Sequence, residues 1–162
     1  MNYHNITHDD MLNGSGLRVV LWVSGCSHAC PNCQNPQTWH ISSGIPFDSE
    51  AKNELFEQLS HDYIKGITFS GGDPLHLNNL GAVTDLAQEI RYKFPDKDIW
   101  VYTGYRWEEV KSLPLMHYID VLVDGPFVEA MKDVNAPWVG STNQRVIDVS
   151  ASLEHNAVIE KK

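Results

Sequence analysis

Short apolar runs at 17–23, 64–69, 99–102, 119–123 and 145–149 each end in polar or glycine-bearing turns, and amphipathic stretches separate the first four. This alternation constrains the fold more than any other feature. Strands joined through helices run parallel, because a right-handed crossover returns the chain to the same end of the sheet. Asp48 or Ser49 is placed to cap a helix carrying Ala51, Leu55, Phe56 and Leu59 on one face. Asn78 or Asn79 opens a longer one through Leu80, Val83, Ala87 and Ile90 that stops before Pro95, and a third, short helix is expected over 107–113. Residues 1–10 read as a polar opening and 127–143 as irregular. The expectation is a single α/β domain over 1–162 with a mainly parallel sheet, since 162 residues fall short of the about 200–250 of a complete eightfold barrel.

Ligands of such sheets gather at the carboxyl ends of the strands. Here those ends carry, in order, a cysteine loop, Ser70-Gly71-Gly72-Asp73, Thr103-Gly104-Tyr105 and Asp124-Gly125-Pro126. One edge of the sheet therefore holds all the candidate chemistry.

Charge narrows the partners. Twelve Lys+Arg against 21 Asp+Glu leave a net −9 with no basic stripe, which argues against a nucleic-acid backbone or an anionic membrane surface. No apolar run approaches the roughly 18 residues of a membrane span, and the N-terminus lacks a signal-peptide pattern, so a cytoplasmic location is expected.

All three cysteines fall in Gly25-Cys26-Ser27-His28-Ala29-Cys30-Pro31-Asn32-Cys33, spaced C-x3-C-x2-C. A loop of this length can wrap one inorganic centre. A 4Fe-4S cube takes one thiolate per iron, so three cysteines leave one iron open to a small molecule. A structural Cys3His zinc using His28 or His40 is an alternative, though such sites usually draw ligand pairs from separated segments. Buried thiols without metal and a disulfide plus a free thiol are the remaining readings.

C-x3-C-x2-C after a first strand resembles the signature of the radical S-adenosylmethionine enzymes. Asn13-Gly14-Ser15-Gly16-Leu17-Arg18, Leu21 through Cys26, and Cys33-Gln34-Asn35-Pro36-Gln37-Thr38-Trp39 are more specific. With Phe69 to Leu75, Trp100 to Tyr105, Asp120 to Phe127 and Gly140 to Arg145, they are similar to the glycyl-radical activases that serve anaerobic ribonucleoside-triphosphate reductases. The likeness covers nearly the whole chain.

The resemblance implies an open, incomplete (β/α) barrel and one 4Fe-4S cluster on Cys26, Cys30 and Cys33, which act as both metal ligands and catalytic centre. It implies S-adenosyl-L-methionine on the open iron, split by one electron to a 5′-deoxyadenosyl radical that takes a hydrogen atom from a glycine. The residue before the last cysteine, often aromatic in the superfamily, is Asn32 here; its backbone, with Cys33 and Gln34, is expected at the nucleoside. Ser70, Gly71, Gly72 and Asp73 stand where a Gly-Gly-Glu-like motif receives the methionine amino group, and Thr103 near the ribose or carboxylate. Two glycines at a strand end suit a close approach of backbone to ligand.

Asp124 reads equally as a site carboxylate or a turn residue, and Arg145 as a contact to a carboxylate or to the partner or, equally, as a solvated side chain. His28 is read as lying beside the cluster or at the surface, without being a ligand. The implied partners are the large subunit of the anaerobic reductase and an external electron donor such as a flavodoxin, because no cysteine remains for a second cluster. Trp39, Trp138 and Arg145 are expected at the docking rim. The alternatives are activation of another glycyl-radical enzyme of the pyruvate formate-lyase type, a small radical synthase, or a non-catalytic electron-transfer or zinc module.

Overall fold

The computed structural model describes residues 1–28, 30, 31, 33 and 36–161. Its elements run β1 (Asn2–Asp10), β2 (Arg18–Val23), β3 (Ile45–Pro46), α1 (Ser49–Leu59), β4 (Gly66–Gly71), α2 (Leu77–Lys93) and β5 (Asp98–Tyr102). They continue with α3 (Trp107–Val110), β6 (Val121–Asp124), β7 (Arg145–Asp148) and α4 (Val149–His155). The strands form one sheet in the order β3-β1-β2-β4-β5-β6-β7.

The expected parallel centre is present: β2, β4, β5 and β6 pair side by side in parallel register. The edges are antiparallel, with β1 between β2 and β3, and β7 on β6. β7 runs back because the connection after Asp124 carries no α-helix to return the chain to the other end of the sheet; Arg145 starts opposite Asp124. The sheet is open among the described residues, with β3 and β7 at its two edges.

Two expectations are corrected at the termini. The opening is not loop but the nine-residue β1, in which Ile6 is the single buried position. A strand with one inward apolar residue shows no period-2 pattern to read. At the other end Val149 is not strand; it begins α4, which Asp148 caps by accepting the Ala151 N–H at 3.0 Å.

Alternation along the central strands sorts the two faces. Val19, Leu21 and Val23, then Ile67 and Phe69, then Ile99 and Val101 join the main core with Leu55, Leu59, Val83, Ala87 and Ile90 of α1 and α2. The opposite face carries Arg18, then Val20, Thr68 and Trp100 in register, then Trp22, Ser70 and Tyr102 two residues nearer the carboxyl ends. On that face Trp100, Val121 and Val123 are covered by Trp138 and Val139 from the long connection before β7. Arg18 is wholly buried there, paired with Asp98 at 2.5 Å and donating to Thr68 Oγ1 at 2.8 Å and to the Ser15 and Ile67 carbonyls at 2.9 Å each.

Candidate active site

The cysteine loop leaves β2 through Ser24 and Gly25 and is clasped where it returns. The Gly25 N–H donates to Thr38 O at 2.6 Å and the Cys26 N–H to Trp39 O at 2.9 Å. The Gly-Gly-Asp turn after β4 grips the same entry point: the Gly72 N–H donates to Val23 O at 2.8 Å and the Asp73 N–H to Gly25 O at 2.6 Å. Asn79, buried at the start of α2, donates to both Ser24 O and Asp73 O.

These contacts explain the glycines. Gly71 has φ +107°, a left-handed conformation that side chains rarely adopt, and a Cβ there would meet the Val23 backbone at 2.5 Å. A Cβ on Gly72 would meet Gly25 O, also at 2.5 Å. Both glycines thus let β4 and the turn after it lie against the root of the cysteine loop.

Cys26, Cys30 and Cys33 all line a cavity of about 650 Å³ at the carboxyl ends of the parallel strands, together with Ser70, Gly71, Gly72 and Thr103. That volume is within the range of small-molecule sites. Trp22, Tyr102 and Trp138 contribute aromatic wall. Trp138 sits at φ 66°, held by edge-on packing against Trp100 with ring centroids 5.2 Å apart and by its carbonyl, which accepts the Tyr102 hydroxyl. At the mouth Met11, Leu12 and Val134 are largely exposed, at 70%, 79% and 82%.

The thiols suit an iron–sulfur centre by donor chemistry and by facing one cavity. Burial pushes the Cys26 thiol up to about 11, opposed by the His28 backbone N–H directed at its sulfur; Cys30 and Cys33 are near enough to raise it further. Among the described residues, no three His, Cys, Asp or Glu side chains already stand as a closed metal-binding group. Asn32 and Gln34, expected at the nucleoside, lie outside the described residues.

Asp73 is only 1% exposed and is engaged by its own chain. Its carboxylate accepts from Leu75 N–H at 2.9 Å, from the Thr103 hydroxyl at 2.8 and 3.0 Å, from Gly104 N–H at 3.0 Å and from His28 Nε2 at 2.6 Å. The carboxylate holds the His28 imidazole above its ordinary pKa.

Asp124 and Arg145 meet at a second cavity, which shares His28, Gly104 and Gly125 with the first. Asp124 caps α3 by accepting Trp107 N–H at 2.8 Å, and it accepts from Arg145 Nε and Nη2. Arg145 also forks onto Glu108 at 2.9 and 3.1 Å. The arginine is thus neither simply solvated nor free for a ligand. Trp39 is half-buried behind the cysteine loop, whereas Trp138 forms part of the cavity wall.

The sequence reading missed the wall residues Trp22 and Tyr102 and the His28 contact. The first two were signalled by strand alternation, being in register with Ser70 and Val123 on neighbouring strands. The last joins residues 45 apart and left no local sign.

An open α/β sheet whose first parallel strand feeds a three-cysteine loop into a strand-end cavity has the frame and the donor set of an iron–sulfur protein. Residues 12–147 match the family described as a 4Fe-4S single cluster domain. An Escherichia coli (strain K12) protein named anaerobic ribonucleoside-triphosphate reductase-activating protein is 45% identical over 150 residues, covering 90% of this chain and 97% of the relative. Proteins of the same name from Enterobacteria phage T4 and Vibrio cholerae are 42% and 45% identical, each aligning over about 90% of this chain and 93% and 96% of their own. The chain belongs to the family of anaerobic ribonucleoside-triphosphate reductase-activating proteins. No helix among the described residues is long and apolar enough to cross a membrane.

Proposed function

We propose that this protein activates an anaerobic ribonucleoside-triphosphate reductase by installing a glycyl radical, using one 4Fe-4S cluster and S-adenosyl-L-methionine in an incomplete (β/α) barrel of the radical S-adenosylmethionine type. The observation that carries the reading is the shared cavity: three thiols, the Ser-Gly-Gly turn and Thr103 face one space at the carboxyl ends of the parallel strands. The chemistry such a cofactor pair supplies when bound is one-electron cleavage of the sulfonium to methionine and a 5′-deoxyadenosyl radical, able to take a hydrogen atom from a glycine Cα.

Cys26, Cys30 and Cys33 are the residues that would hold the cluster. Ser70, Gly71 and Gly72 offer backbone and hydroxyl groups to the amino-acid part of S-adenosylmethionine, Thr103 lies beside its ribose or carboxylate, and Asp73 supports them from behind. Asn32, Cys33 and Gln34 are assigned to the nucleoside. Trp22, Tyr102 and Trp138 wall the cavity and limit the access of water to it.

The exposed apolar lip of Met11, Leu12 and Val134 favours a protein partner over a free metabolite, since contiguous exposed apolar surface marks interaction sites. The partner is the large subunit of the reductase, and the electron comes from an external donor such as a flavodoxin.

Mixing the anaerobically reconstituted protein with the reductase, a reductant and S-adenosylmethionine should yield 5′-deoxyadenosine and a doublet glycyl signal in electron paramagnetic resonance. A signal on pyruvate formate-lyase but not on the reductase would keep the activase class and overturn the partner. Neither signal nor 5′-deoxyadenosine would overturn the function.

A further inference from the structure

We propose that His28 and Asp73 are a positioning pair: their contact pins the loop that follows Cys26 to the ends of β4 and β5. The cluster-bound consequence rests on the proposed function; the pinning itself does not.

The contact is built from three sides. Asp73 is fixed by Leu75 N–H, by the Thr103 hydroxyl and by Gly104 N–H, so its free edge points at one place. His28 fills that place, with Nε2 2.6 Å from Oδ2. Its ring lies edge-on to Tyr105, centroids 4.6 Å apart, and directly over Gly104. A Cβ on Gly104 would meet the ring at 2.5 to 2.8 Å, so this glycine is required by the imidazole and not by its own backbone angles.

The strand-end triplet Thr103-Gly104-Tyr105 thus serves as a seat: its hydroxyl orients the carboxylate, its glycine admits the ring, and its tyrosine flanks it. The carboxylate is 1% exposed and the imidazole side chain 19% exposed, so water competes little for the contact. Buried charge-assisted hydrogen bonds of this length are the strong ones.

Two consequences follow for the loop. Its entry, Gly25-Cys26, is held by backbone hydrogen bonds to Thr38, Trp39 and Asp73, but between Cys26 and Cys30 His28 is the described side chain that reaches back into the sheet. The segment after Cys26 is therefore only as steady as the ring that anchors His28. The surroundings that orient the ligands tune the reduction potential and stability of iron–sulfur centres, so the anchor reaches the site's chemistry through the loop that carries Cys26 and Cys30. Asp73 acts here through His28.

Three variants test this. His28→Leu keeps the bulk and removes the donor, His28→Gln restores an N–H donor at similar reach, and Gly104→Ala leaves both partners intact while pushing the ring aside. Amide hydrogen exchange on the purified chain before reconstitution should show Cys26 and His28 exchanging at least about tenfold faster in His28→Leu and Gly104→Ala than in the parent, with β4 and β5 amides unchanged. His28→Gln should stay within about threefold.

After anaerobic reconstitution, iron should pass to a chelator about tenfold faster from His28→Leu, and the cluster's midpoint potential should shift, both recovering in His28→Gln. Parent-like exchange in His28→Leu, or a His28→Gln variant as impaired as His28→Leu, would overturn the pairing. A parent chain that takes up no iron and sulfide would instead overturn the cluster reading, leaving the exchange result to decide the pairing alone.

Discussion

Adding one methyl group at Gly72 separates two reasons for a glycine in the Ser70-Gly71-Gly72-Asp73 turn. If the residue only clears the way for a ligand, Gly72→Ala weakens S-adenosylmethionine binding and leaves the cluster loop untouched. The geometry argues otherwise, because the new Cβ would lie 2.5 Å from Gly25 O, 2.8 Å from its carbonyl carbon and 2.9 Å from its nitrogen. Real Cβ contacts essentially never fall below 3.0 Å, so β4 and the root of the cysteine loop must part by at least 3.0 − 2.5 = 0.5 Å. Every atom in the way is backbone and cannot rotate aside. Overpacking of this kind costs about 1–3 kcal/mol, which for a chain of this size lowers Tm by about 2–12 °C. Since Gly25 precedes Cys26, iron content should fall together with stability. The assay is iron and sulfide per chain after anaerobic reconstitution, alongside a thermal melt and a calorimetric titration with S-adenosylmethionine. A variant with full iron load, a melt within about 1 °C of the parent and only a weakened titration would refute the steric reasoning.

Single replacement of Cys26, Cys30 or Cys33 by Ala should abolish the visible absorption of the reconstituted cluster and all cleavage of S-adenosylmethionine, since the chain has no fourth cysteine to substitute; retention of both in any one variant, by absorbance and product chromatography, would remove that residue from the ligand set. Arg18→Met should cost about 3 kcal/mol in a denaturant melt by leaving Asp98 and the Ser15 and Ile67 carbonyls without their donor; a loss below about 0.5 kcal/mol would mean that water replaces the guanidinium without penalty. Iron analysis of the intact protein should give about four atoms per chain, and about eight would show a second cluster and remove the need for an external donor.

What could be read from residues alone was what repeats locally. The four parallel strands each bury apolar side chains, and the turn chemistry after each is distinctive, so their order and the edge carrying the site were legible. β1 was not, because a strand with Ile6 alone turned inward has the composition of a polar tail. The direction of β7 was hidden for a different reason: strand pattern is the same in either sense, and only the absence of a crossover helix before Arg145 decides it. At the site the cysteines declared their own chemistry through spacing. The partners of Asp73 did not, because a carboxylate after two glycines looks the same whatever donates to it, and His28, 45 residues away, leaves no local sign.

The clasp formed by Gly25 with Thr38 and Cys26 with Trp39 bears on how the loop captures an inorganic centre. Gathering three thiolates from an open chain requires the chain to surrender the freedom of its ends, a loss that grows with the logarithm of the enclosed length. Here the ends are joined by the protein's own hydrogen bonds at 2.6 and 2.9 Å. The entropy of closing that ring is lost when the sheet forms, so assembly of the centre has only the interior of the loop left to order. Cofactor affinity should accordingly track the integrity of the hydrogen bonds from Gly25 and Cys26 that hold Thr38 and Trp39 in place, and lengthening the loop between Cys33 and Pro36 should weaken capture only slightly.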